Sequence, residues 1–178
     1  MKKLLKLLIL LVVCFVYGTA AGQPGFKGKR TIYFVRHAEK DTGSNPVISA
    51  AGKERAGDLY RVLQHKKIDL IMATQYRRTG MTADSLRIYQ HIDSIQYKAD
   101  LTGDDFLAVL NSRAGKAKNI LVVGHSNALP ALIRKAGIEN YMVKELPETE
   151  FDHLFIVTQK KGKASLRQLK YGRPSDSL

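Results

Sequence analysis

Two short apolar runs, each ending in a histidine, constrain this 178-residue chain more than any other feature. Thr31 to Val35 is rich in β-branched and aromatic residues and runs straight into Arg36-His37-Ala38-Glu39-Lys40. Asn119 to Val123 repeats the design and ends in Gly124-His125-Ser126. Near-continuous apolar runs of this length read as strands buried on both faces, the kind found in parallel sheets. In an open α/β sheet, ligands bind beyond the carboxyl ends of the strands. Two histidines placed there sit side by side if the two strands are neighbours. An arginine next to one of them offers an anion a fixed fork of donors, and histidine serves as nucleophile or acid/base near neutral pH.

The rest of the chain alternates helical and strand patterns. Ser49 reads as the N-cap of a helix over about 50–65, with Ala56, Leu59, Val62 and Leu63 on one face. Residues 68–73 read as a strand. Thr74 then reads as the cap of a helix over about 76–90, which puts Arg77 and Arg78 in its first turn. Cations are unfavourable there because the helix dipole prefers anions. The mismatch is resolved if an anion sits between the arginines and the helix start. Residues 94–99 read as an edge strand, and Asp104 or Asp105 opens a helix to about Ser112. A further helix starts near Ala128, carries Pro130 in its first turn and stops at Gly137. Residues 154–158 and 164–169 form a closing hairpin around Lys160-Lys161-Gly162-Lys163. The pattern predicts a three-layer α/β/α sandwich with a mainly parallel sheet. One domain is expected over 30–170, after a flexible lead-in at 22–29 and before a tail at 171–178.

Residues 1–21 have the form of a signal peptide. Lys2, Lys3 and Lys6 precede an apolar stretch from Leu7 to Tyr17, and Gly18-Thr19-Ala20-Ala21 supplies small residues for cleavage. The apolar stretch is short for a membrane span, so the expectation is export to a periplasmic or secreted location, with membrane contact only through the signal. Cys14 is the only cysteine, so the remaining chain is expected to lack disulfide and thiol chemistry. Three of the thirteen excess positive charges lie in the signal; the rest favour anionic partners. The basic turn at 160–163 has no interleaved aromatics, which argues against a nucleic-acid surface. His65 closes a helix, where a cation is favourable, and His91 and His153 lack ligand-like spacing with each other, so no metal site or cofactor is expected.

Four stretches in order carry a resemblance: Val35 to Lys40, Asn45 to Gly52, Arg78-Thr79-Gly80-Met81-Thr82-Ala83, and Val122 to Ser126. Together they resemble the histidine phosphatase superfamily, whose fold is phosphoglycerate-mutase-like, over roughly residues 30–158. The short chain, without room for a large inserted cap, is similar to the small single-domain phosphatases of that group. The resemblance implies that His37 attacks phosphorus and becomes phosphohistidine, that Arg36 and Arg78 clamp the phosphoryl oxygens, and that His125 completes the pocket. Ser49 and Ser126, polar residues inside the matching stretches, are added as candidate substrate contacts. The implied activity is metal-independent hydrolysis of phosphomonoesters or phosphohistidine on a small phosphorylated substrate or a phosphoprotein. The alternatives are a phosphomutase, or a catalytically inactive phosphate-binding domain of the same fold. The departure from the family is at the proton donor. One branch has an Asp directly after the second histidine, where this chain has Ser126. Another has a Glu between the second arginine and the second histidine, where this chain offers Asp104 or Asp105.

Overall fold

Strand β1 (Lys29–Arg36) lies inside a six-stranded sheet and is buried from Ile32 to its end. The computed structural model describes residues 28–175; the expected signal segment lies outside the described residues. In chain order β1 is followed by α1 (Ala50–Leu63), β2 (Leu70–Thr74), α2 (Arg77–Tyr89), β3 (Ser94–Tyr97) and α3 (Asp104–Arg113). Then come β4 (Asn119–Gly124), α4 (Leu129–Lys135) and a hairpin of β5 (His153–Lys160) and β6 (Lys163–Lys170). The strand order is β3-β2-β4-β1-β5-β6. The first four strands are parallel to one another, and β5 and β6 pair antiparallel at the far side.

Alternation along β1 explains the three layers. Ile32 and Phe34 point to one face, where Phe106 and Leu110 of α3 and Leu129, Leu132 and Ile133 of α4 cover them. Tyr33 and Val35 point to the other, against Leu59 and Leu63 of α1 and Leu86 of α2. Burying each such aliphatic or aromatic side chain stabilises the fold by roughly 1.5–3 kcal/mol. Both faces are needed, which is why β1 and β4 read as unbroken apolar runs.

Ser49 caps α1 as expected, its hydroxyl accepting from the Gly52 amide at 3.2 Å. Thr74 does not cap α2. It is the last residue of β2, the N-cap is Tyr76, whose own side chain makes no capping bond, and Asn45 Oδ1 accepts from the Arg77 amide in the first turn. The stretch expected as a tail packs back on the domain as far as it is described: Tyr171 and Ser175 are buried, and Ser175 Oγ accepts from the Phe151 amide at 2.9 Å.

Candidate active site

β1 and β4 are neighbours in parallel register, with Arg36 opposite Gly124. The chain therefore leaves both strands at the same level. The His37 amide donates to the Gly124 carbonyl at 2.9 Å, which ties the two exits together. As a result the His37 and His125 rings lie edge to face, with centroids 5.3 Å apart. A pocket of about 310 Å³ opens over them, and Arg36, Arg78, Ser126 and Glu148 also line it.

Each ring is held by a partner that decides its tautomer. His37 Nδ1 is 2.8 Å from the Ala38 carbonyl oxygen. A carbonyl only accepts, so Nδ1 carries the proton and Nε2 keeps its lone pair. Burial pushes the His37 pKa down to about 3; the Ala38 hydrogen bond opposes this, and His125, Arg36 and Arg78 add to it. His125 Nδ1 is 3.4 Å from an Arg78 guanidinium nitrogen, which only donates. His125 Nε2 must then carry its proton, and it donates to Thr74 Oγ1 at 3.0 Å. Thr74 in turn bonds Thr79 Oγ1 at 3.0 Å, and Thr79 donates to the Tyr76 carbonyl at 2.7 Å. Burial, then Arg78 and Arg36, lower the His125 pKa to about 4, with Glu148 opposing. Both rings are neutral at physiological pH.

The arginines come from different layers. Arg36 ends β1, is 3% exposed, and lies 4.1 Å from the centre of the Phe151 ring. One terminal nitrogen donates to the carbonyls of Pro147 (3.0 Å), Glu148 (2.7 Å) and Glu150 (3.3 Å). The other pairs with the Glu148 carboxylate. Arg78 stands in the first turn of α2 with its guanidinium 4.4 Å from the centre of the Tyr76 ring. The Nε atoms of both arginines are buried with no hydrogen-bond partner among the described residues. Orphaned guanidinium donors are costly to bury; here they flank a pocket fit for an oxyanion. Thr82 binds α2 to this floor, accepting from the Ala38 amide at 2.9 Å and donating to the Arg78 carbonyl at 2.7 Å.

Arg36, His37, Arg78, His125 and Ser126 thus converge on one pocket. Ser49 does not line it, being used as the α1 cap. The expectation that Asp104 or Asp105 borders the pocket needs correction. Both lie in the first turn of α3, where carboxylates meet the free amides and cations around a helix start. Asp104 is exposed and pairs with Lys135 at 2.6 Å, and Asp105 accepts from the Lys98 amide at 2.5 Å. Glu39 turns away from the pocket and forms a buried pair with Arg55, 2.6 Å apart at the closest. Arg77, next to Arg78, is exposed, and its amide donates to Asn45 Oδ1. Among the described residues no cluster of histidine, cysteine or carboxylate side chains could hold a metal ion.

Neither a family model nor a curated protein sequence matches the chain. Solved structures do. A structure described as the phosphohistidine phosphatase SixA from Nakamurella multipartitia superposes with a TM-score of 0.61 at 16% identity. It covers 83% of this chain and 97% of that one. The chain has the phosphoglycerate-mutase-like fold. The alpha-ribazole phosphatase from Shigella flexneri shares that fold, with a TM-score of 0.60, 18% identity, and coverage of 79% and 96%. So does phosphoglycerate mutase from Bacillus anthracis, with a TM-score of 0.57, 13% identity, and coverage of 81% and 94%. At these identities the likeness is one of fold.

Sequence reasoning missed Glu148, Thr74 and Phe151 as parts of this site. Glu148 and Phe151 lie in the irregular stretch between α4 and β5, and no local periodicity points from there to Arg36. The only available signal was Thr74 at a strand end, and it is equally the signal of a helix cap.

Proposed function

We propose that this protein is an exported phosphatase that hydrolyses phosphomonoesters or phosphohistidine through a phosphohistidine on His37, without a metal. The observation that carries this reading is the His37 ring. Its Nδ1 proton is committed to the Ala38 carbonyl, its Nε2 lone pair is free, and burial keeps it neutral beside two arginines. A neutral nucleophile next to fixed positive charge is what phosphoryl transfer requires, because catalysis of that step rests on positioning and charge neutralisation. In the first half-reaction Nε2 attacks phosphorus, and the ester oxygen, or the imidazole nitrogen of a phosphohistidine substrate, departs with the electron pair of the broken bond. In the second, water attacks the phosphohistidine and releases phosphate. Arg36 and Arg78 hold the phosphoryl oxygens in both, and His125, held by the Thr74–Thr79 chain, walls the pocket. The names of the fold neighbours, a phosphohistidine phosphatase and an alpha-ribazole phosphatase among them, support the same class of reaction. Export rests on the charge and apolar pattern of residues 1–21.

The test is turnover of nitrophenyl phosphate by the purified chain. The reading expects activity that chelators leave unchanged, that vanadate inhibits, and that His37→Ala abolishes in a folded protein. Full activity in His37→Ala, or activity lost to a chelator and restored by a divalent cation, would overturn it.

A further inference from the structure

Phosphoester cleavage leaves a charged oxygen that needs a proton when the leaving group is an alkoxide. Two carboxylates line the pocket, Asp100 and Glu148. Asp100 is fully engaged: it accepts from the amides of Thr102 (2.9 Å), Asp105 (3.1 Å) and Gly103, and from the Thr102 hydroxyl (3.0 Å). Burial favours its acid form, but those donors, the Asp105 amide first, outweigh it and hold the group below the usual carboxylate range. A carboxylate that keeps four donors in its own loop has no reason to take up a proton.

Glu148 is placed differently. Its side chain is 69% exposed and reaches into the pocket from the α4–β5 stretch. One oxygen accepts from the Ser126 hydroxyl, next to His125, and the other rests on the terminal nitrogen of Arg36. The remaining terminal nitrogen of Arg36 is already committed to three backbone carbonyls. A phosphoryl group clamped by Arg36 must therefore use the nitrogen that Glu148 holds, or its neighbouring Nε. The buried Nε has no partner, so a two-pronged grip from this edge brings the phosphoryl oxygens against the Glu148 carboxylate, which competes for the same guanidinium edge.

We infer that Glu148 is the proton donor of the reaction, released from Arg36 by the arriving phosphoryl group. This rests on the phosphatase reading above. Displacement takes away the cation that stabilised the carboxylate and puts a phosphate dianion beside it, and a like charge favours the protonated form. Without substrate, the Ser126 hydrogen bond first, and then Arg36, hold Glu148 below the usual carboxylate range. The proton comes from solvent as the dianion settles. His37 Nε2 then forms the bond to phosphorus, the ester P–O bond breaks, and its electron pair goes to the leaving oxygen, which takes the proton from Glu148. In the second half-reaction the Glu148 carboxylate accepts a proton from the attacking water, and the N–P electron pair returns to His37. The Ser126 hydroxyl keeps Glu148 tethered while Arg36 is given up.

The experiment compares two substrates in wild type, Glu148→Gln and Glu148→Asp. Nitrophenolate leaves without a proton, and glycerol alkoxide does not. Glu148→Gln keeps the shape and loses the proton, its amide oxygen can still accept from the buried Arg36, and a thermal melt beside the kinetics reads any loss of fold separately. The expected result is a ratio of glycerol phosphate to nitrophenyl phosphate kcat/KM that falls on the order of 100-fold in Glu148→Gln. Glu148→Asp should recover part of the ratio. A ratio unchanged in Glu148→Gln overturns the inference and leaves Glu148 only a competitor for Arg36, while the phosphatase reading stands on wild-type turnover. A wild-type protein inert on both substrates overturns both.

Discussion

Lowering the pH from 7 to 5 should destabilise this fold through two histidines. His37 and His125 are buried neutral, with pKa values near 3 and 4 in the folded chain. In the unfolded chain both return to about 6.5. Between those limits the unfolded state binds protons that the folded state refuses, so stability falls as the pH drops below 6.5. At pH 5 each ring costs about 2 kcal/mol relative to pH 7, about 4 kcal/mol together, a large part of a typical total of roughly 5–15 kcal/mol. The depressed carboxylates do not confuse this window. Asp100, Asp152 and Glu148 contribute stability that is lost only below their ordinary values, around pH 4. The assay is urea unfolding at pH 7 and pH 5 for wild type, His37→Gln and His125→Gln. Wild type should lose about 4 kcal/mol between the two pH values and each variant about 2 kcal/mol. Equal losses in all three proteins would show that these rings are not held neutral by the fold, and would remove the physical basis for a ready nucleophile.

Arg78→Ala should lower kcat/KM for any phosphomonoester by on the order of 100- to 1,000-fold with the melting temperature little changed, because a fixed transition-state donor is lost. Steady-state kinetics beside a thermal melt reads both. Glu39→Ala should act the other way, costing about 3–5 kcal/mol by leaving Arg55 buried and unpaired, as measured by denaturant unfolding. In cells the protein should occur as a form lacking about the first 20 residues, found outside the cytoplasm; amino-terminal sequencing of fractionated material checks this, and a full-length soluble cytoplasmic form would reject it.

The core of the site was legible because its residues are continuous with the strands that place them. Arg36 and His37 close one apolar run, Gly124 and His125 close another, and register does the rest. Arg78 was legible as a cation at the wrong end of a helix. Glu148 was not, because it reaches Arg36 across 112 positions of sequence from a stretch with neither helix nor strand. Asp104 and Asp105 misled because a carboxylate at a helix start looks the same in sequence whether it faces a pocket or, as here, Lys135 and the Lys98 amide. Thr74 misled for a related reason: a hydroxyl between a strand and a helix reads as a cap, and here it orients His125. In each case the ambiguity is one of side-chain direction, which local pattern does not carry.

Trapping the proposed phosphohistidine decides most directly whether His37 is the nucleophile. Purified protein mixed with phosphorus-labelled nitrophenyl phosphate and quenched in alkali within the first turnovers should retain label. The label should survive alkali, be lost in mild acid, map to His37, and be absent from His37→Ala. Steady hydrolysis with no label on His37, or label that persists in His37→Ala, would contradict the account.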